Sequence, residues 1–252
     1  MPDPEAARPP LPRPGGRTRA SERVRTGAVG IAPLHGARAV DWQGSVELDT
    51  AHCTVVVVDV EAFGRRLNPN QLRVRQGMYR SLERAFATAG IPWGACRYSD
   101  LGDGVLVLAP AEIPKTLFAD LLVGALADEL AIHNEVHPAP ERFRLRLALH
   151  AGEVSSDEHG VTGSSILHAQ QLVDAPELKR ALADAAAVLA VIASDWFFGE
   201  VVRHSERARA EDYRAVSVAS GAGPAAAWIR LVPAPAVIRR RGLRRARRDR
   251  SA

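Results

Sequence analysis

The run Cys53-Thr-Val-Val-Val-Val-Asp59 constrains the fold of this 252-residue chain more than any other segment. Four consecutive Val favour an extended backbone, and apolar side chains on both sides of it indicate a strand buried on both faces. The run ends in a carboxylate. Burying Asp59 is costly unless it meets cations, hydrogen-bond donors or water, so the end of this strand is the first place to look for chemistry.

The following segments suggest what covers the strand. Asn68-Pro-Asn70 opens a predicted helix ending at Gly90, with Leu72, Met78, Tyr79, Leu82, Ala85, Phe86 and Ala89 on one face. A hairpin is predicted over Ala95–Asp100 and Gly104–Ala109, with Asp103-Gly104 at or near its turn. Pro114 fits the first turn of a second helix running to about Asn134. Phe143-Arg-Leu-Arg-Leu-Ala-Leu149 alternates and predicts a half-buried strand. This order is βαββαβ, the split ferredoxin-like pattern. A helix over 164–173, a strand over 188–193, a helix capped by Ser194, and strands over 213–218 and 226–232 follow. The expected class is α/β (α+β), a ferredoxin-like core with extra C-terminal strands and helices.

Charge separates the tails from this body. The net charge is +4, but residues 1–26 carry +3 and residues 239–252 carry +7, which leaves the middle at −6. Residues 1–48 are expected to be a disordered Pro/Arg-rich tail, 49–233 the folded domain and 234–252 an Arg-rich tail. Eight Arg within 239–250 suit non-specific binding to phosphate backbones, or a solvated tail; no aromatic is interleaved for base stacking. No apolar run is long enough to span a membrane. The first residues lack the apolar region of a signal peptide, and two Cys make no disulfide framework. The expectation is a cytoplasmic protein with reduced thiols.

Asp59 and Asp103 are the candidate metal ligands. In the split topology the first strand lies beside the hairpin, so both carboxylates can converge on one edge of the sheet and hold Mg²⁺ or Mn²⁺ with a polyphosphate. Taken singly, Asp59 reads as a helix-entry cap and Asp103 as a turn residue. Weaker candidates are His133 and His137, spaced i, i+4 near a helix end, which read as a solvated terminus rather than a metal pair. Cys53 and Cys96 are expected to be buried thiols on adjacent strands, Glu153 and Asp157 extra polar lining, and His150 structural. Asp195, Trp196, Phe197 and Phe198 read as a capped helix start with its aromatics in the core.

Four segments in order resemble the class III adenylyl and guanylyl cyclase catalytic domain: Val56-Val-Val-Asp59-Val-Glu-Ala-Phe63, Leu101-Gly-Asp103-Gly-Val-Leu106, Leu145-Arg-Leu-Ala-Leu-His150-Ala-Gly152-Glu-Val154, and Gly160-Val-Thr-Gly163 followed by a helix. The resemblance covers roughly 52–233. It implies that Asp59 and Asp103 bind two ions, Mg²⁺ or Mn²⁺, one helping to activate a ribose 3′-hydroxyl and one holding the triphosphate as pyrophosphate leaves. It also implies that the Val60 carbonyl assists and that amides around Glu61, Ala62 and Phe63 face phosphates, with ATP or GTP as ligand. The family usually has Gly where Ala62 stands, and Lys or Glu, which select the base, where Ser99 stands.

The resemblance also exposes a gap. The family supplies an Asn and, four residues later, an Arg from the second subunit; the matching positions here hold Leu167 and Gln171. Leu cannot hydrogen-bond and Gln carries no charge. Losing one preorganised transition-state donor typically costs about 10²–10³ in rate. The expectations are therefore a metal- and nucleotide-binding cyclase-homology module with weak or no activity alone, one half of an active heterodimer, or an active homodimer using substitutes such as Gln171 or His168. Either kind of dimer is implied, since the family's site forms between two chains.

Overall fold

The computed structural model describes residues 49–220 and 223–235. Both predicted Arg-rich tails therefore lie largely outside the described residues. Thirteen elements form the body: β1 (Asp49–Val60), α1 (Asn68–Thr88), β2 (Arg97–Asp100), β3 (Gly104–Pro110), α2 (Val123–Val136), β4 (Leu145–Asp157), β5 (Gly160–Thr162), α3 (Ser164–Asp174), α4 (Pro176–Ala183), β6 (Ala187–Ser194), α5 (Asp195–Glu200), β7 (Arg214–Ser220) and β8 (Gly223–Pro233). A π-helical stretch, Phe118–Leu122, leads into α2.

The strands form one eight-stranded sheet in the order β2-β3-β1-β4-β6-β8-β7, with β5 paired to β4 outside that path. β1 is antiparallel to both β3 and β4, and β4 runs parallel to β6. The βαββαβ core and the later strands thus appear as the sequence predicted.

The Val run divides as its parity requires. Val56 and Val58 join the core under α1 and α2, with Val74, Met78, Leu82, Phe86, Leu126 and Leu130. Val55 and Val57 join a second core under α3 and α4, with Ile166, Leu172, Leu178 and Leu182. Helices on both faces therefore bury the Val55–Val58 stretch of β1 completely.

The same cover corrects the reading of β4. Its Arg-Leu-Arg-Leu alternation suggested one wet face, yet Leu145–Leu149 is buried on both, and Arg146 is only 8% exposed. The strand also runs on to Asp157 rather than ending near 149. Leu72 departs from the predicted apolar face of α1; it lies in the first turns and is 63% exposed. Cys53 and Cys96 are not on adjacent strands: Cys96 lies just before β2, β3 separates β1 from β2, and Cys53 is only half-buried. Both thiols are free and burial raises both, so neither is activated. Of the aromatics near Ser194, Phe197 is buried and Phe198 stacks on Trp228 at 3.8 Å, but Trp196 is 46% exposed. Ser194 caps α5 as predicted, its hydroxyl accepting the Phe197 amide hydrogen at 3.1 Å.

Candidate active site

The end of β1 and the β2–β3 turn meet at one edge of the sheet. Asp59 pairs in register with Gly104, and the Val60 amide donates to the Asp103 carbonyl at 2.9 Å. Two glycines make this approach possible. Gly102 turns the chain at φ +94°, where side chains are disfavoured. A Cβ on Gly104 would collide with the Val58 carbonyl oxygen and come within 3.3 Å of the Asp59 Cα. The Gly-Asp-Gly sequence therefore lets the Asp103 backbone lie directly against the strand that carries Asp59. Asp103 is exposed, whereas the Asp59 side chain is 13% exposed.

Among the described residues, Asp59 is paired with one cation. Arg146, its cross-strand partner on β4, donates from Nε at 2.8 Å and also from Nη2, both to Oδ2. The other oxygen, Oδ1, is buried with no hydrogen-bond partner. Burial pushes the Asp59 carboxyl above its ordinary value; Arg146 pulls it down, and the charges of Asp103 and Asp174 push it up again. A carboxylate with a spare buried acceptor, next to a second carboxylate, suits a further cation. Among the described residues no group of three or more His, Cys, Asp or Glu side chains is placed to hold a metal. Two carboxylates nevertheless match the way Mg²⁺ is commonly held, with substrate and water oxygens completing the shell.

The loop after β1 is tightly used. Glu61 forms a two-pronged pair with Arg144 at 2.6 Å on each oxygen, and its amide donates to the Arg144 carbonyl. The Glu61 side chain and amide are thus occupied. Among the described residues, the amides of Ala62 and Phe63 donate to nothing. Ala62 itself sits at φ 53°, ψ 33°, the left-handed region. A non-glycine residue there is strained, and this is the position where the family usually has Gly. Arg66 braces the loop by donating to the carbonyls of Glu61, Ala62 and Arg142. Ser99 is half-buried on edge strand β2, opposite Leu106.

Leu167 and Gln171 stand one turn apart on α3, and both face outward. Leu167 is 47% exposed. His168 turns inward instead, its ring 4.8 Å from that of His150, so it does not share that outward face. His150, expected to be structural, places its Nδ1 2.8 Å from the Ser194 hydroxyl. His133 and His137 are not a freely solvated terminus. Their rings stack at 3.8 Å, and His133 packs against Gly77 of α1. Glu153 approaches His52 at 3.1 Å, and Asp157 caps the β4–β5 turn through the His159 and Gly160 amides.

Arg146 is the functional candidate the sequence reading passed over. Its signal was present: an Arg within a strand that lies next to a strand buried on both faces, at the position opposite Asp59 once the register is known. Arg75, Tyr79 and Asp100, which brace the Asp103 turn, were passed over too.

This architecture is that of adenylyl and guanylyl cyclase catalytic domains: the chain has a class III nucleotidyl cyclase-like fold. It is similar to the adenylate/guanylate cyclase/hydrolase from Silicibacter pomeroyi, with TM-score 0.51 and 18% identity over 74% of this chain and 99% of that one. It is similar also to the catalytic core of a rhodopsin-guanylyl cyclase with converted specificity, solved with ATPαS, at TM-score 0.50 and 14% identity over 73% of this chain and 97% of that one. No family model matches the sequence, and neither does any curated protein. Among the described residues no helix is long and apolar enough to cross a membrane.

Proposed function

We propose that this chain is a cyclase-homology subunit that binds a divalent metal and a purine nucleoside triphosphate at Asp59 and Asp103, and that it turns the nucleotide over weakly or not at all by itself. The observation that supports this reading is the backbone approach of Asp103 to the end of β1, beside an Asp59 whose Oδ1 is buried and unpartnered. Mg²⁺ or Mn²⁺ would sit on Asp59 and Asp103, with the Val60 carbonyl as a further oxygen; when bound, such ions activate a ribose 3′-hydroxyl and neutralise the departing pyrophosphate.

This chain's own groups then have separable tasks. The unused amides of Ala62 and Phe63 are donors for phosphate oxygens. Arg146 is the counter-charge of Asp59 and opposes the effect of burial on its carboxyl. Ser99 lies where the base is selected and favours neither adenine nor guanine. Leu167 and Gln171 offer no charged donor to the transition state, which is the reason for expecting little turnover from the chain alone.

A second reading keeps the same metal end and adds a partner. A cyclase-like chain presenting Asn and Arg on its own third helix would complete the site in a heterodimer. An active homodimer is the reading the exposed Leu167 least favours. Binding of nucleic acid by the Arg-rich tail concerns residues outside those described.

The test is calorimetric titration of the full chain with Mn²⁺ plus ATP or GTP, followed by product assay. The expected result is metal-dependent nucleotide binding that Asp59→Asn abolishes, with cyclic nucleotide at or near background. Restoring the missing groups with Leu167→Asn and Gln171→Arg should raise turnover by at least about tenfold. Vigorous turnover by the unmodified chain refutes the weak-activity claim. Nucleotide binding that ignores both metal and Asp59→Asn refutes the site.

A further inference from the structure

A three-residue hairpin tip is ordinarily a mobile place for a metal ligand. The tip Leu101–Asp103 is instead tied to α1. The Asp100 carboxylate accepts from Arg75 Nη1 at 2.9 Å and from Arg75 Nη2, from the Tyr79 hydroxyl at 2.6 Å, and from the Gly102 amide at 2.7 Å. Arg75 Nη1 also donates to the Gly102 carbonyl. Arg75 and Tyr79 stand one turn apart on α1, so both reach the same carboxylate. The Asp100 side chain is 12% exposed.

The bonds fall on particular peptide groups. The Gly102 carbonyl belongs to the peptide that supplies the Asp103 nitrogen, and Arg75 holds it. The Asp103 carbonyl belongs to the next peptide, and the Val60 amide holds it. Both peptide planes flanking Asp103 are thereby fixed while its carboxylate stays exposed. Burial alone would raise the Asp100 carboxyl, but the bonds from Arg75, Tyr79 and Gly102 outweigh it and keep it below its ordinary value, so the clamp is charged.

We propose that Arg75, Tyr79 and Asp100 are positioning residues that preset Asp103 as a metal ligand, linking the hairpin tip to the helix that follows the Asp59 loop. This rests on the reading of Asp59 and Asp103 as a metal site.

The experiment measures Mn²⁺ affinity of the full chain by electron paramagnetic resonance of free Mn²⁺, alongside thermal melting and amide hydrogen exchange at residues 101–104. Arg75→Met should weaken Mn²⁺ binding about tenfold, in line with losses seen when groups supporting a metal ligand are removed. Arg75→Lys should recover part of that loss, and Tyr79→Phe, which deletes one hydroxyl, should lose less. Exchange at Gly102 should speed up in Arg75→Met. Folded variants of Arg75 and Tyr79 that bind Mn²⁺ like the unmodified chain, while Asp103→Asn does not, overturn the positioning role. Failure of the unmodified chain to bind Mn²⁺ removes the metal reading itself; the exchange result then judges the clamp, and unchanged exchange at Gly102 overturns it.

Discussion

Replacing Arg146 with Met tests the centre of the site. Met keeps most of the apolar stem but leaves Asp59 with a buried carboxylate and no cation. The two side chains are 10% and 13% exposed, so water cannot readily substitute. Breaking a buried ion pair from one side costs about 3–5 kcal/mol; the residual exposure of Asp59 places this case near the lower bound, about 3 kcal/mol. For a body of this size that corresponds to a fall in melting temperature of about 6–12 °C. The pH dependence has a definite sign. Burial already raises Asp59 above its ordinary 3.8, and loss of Arg146 raises it further. Between 3.8 and the folded value the native state holds a proton that the unfolded chain has released, so the stability contribution of this site falls as pH rises through that window and is level above it. The deficit of Arg146→Met should therefore be greatest near pH 8 and shrink toward pH 4. Asp59→Asn in the same background should recover most of it, giving a coupling of about 2 kcal/mol or more in the double-mutant cycle. Mn²⁺ should stabilise Arg146→Met more than the unmodified chain, because the ion supplies the missing positive charge. A melt within about 2 °C of the original, or a deficit independent of pH and additive with Asp59→Asn, would falsify the assignment of Arg146 as the counter-charge.

Three further outcomes follow from single positions. Ala62→Gly relieves a left-handed alanine and should raise stability by about 1 kcal/mol, read as an increase of about 2–4 °C in melting temperature. Gly104→Ala drives a methyl into the Val58 carbonyl, a backbone atom that cannot swing aside; a loss of at least about 2 kcal/mol in urea denaturation is expected, together with loss of Mn²⁺ uptake. His150 is lowered to about 4 by burial first and then by the charges of His168 and His52. From its ordinary 6.5 down to that value the unfolded chain binds the proton and the native state does not, so stability is lost as pH falls through this window. His150→Gln should remove about one proton from the slope of stability against pH, and an unchanged slope from pH 4 to 7 would count against the burial of a neutral ring.

Element types were legible wherever one period dominated. The Val run required two-sided cover, and the helical spacing of Met78, Leu82, Ala85 and Phe86 supplied one side of it. β4 was harder. Arg at alternate positions imitates a wet face, and nothing local to Leu145–Leu149 reveals that Arg144 and Arg146 are each consumed by a carboxylate on the loop or strand alongside, Glu61 and Asp59. Such pairs join residues more than eighty positions apart, and only the register of β1 against β4 makes them neighbours. The Asp103 clamp was hidden for a related reason: Arg75 and Asp100 are unremarkable as a helix cation and a strand-end acid until the turn brings them together. Leu167 and Gln171 were legible as departures only through the resemblance, whose motif places both positions on one helix without tertiary information.

The two ends of the proposed site differ in what the fold spends its strain on. At the Asp59–Asp103 edge the chain keeps a left-handed alanine, a buried carboxylate oxygen with no partner and a glycine without which the strands would clash. Each of the first two lowers stability by about 1–3 kcal/mol. A domain that served only as a scaffold would gain by replacing them: Gly at 62 relaxes the backbone, and Asn or Thr at 59 removes the buried charge. On the outward face of α3, Leu167 and Gln171 are exposed helix residues, and neither is among the buried unpartnered groups of the described residues. Strain kept at one end and absent from the other is what a subunit should show if it still binds a cation and phosphates itself but leaves the transition-state donors to another chain.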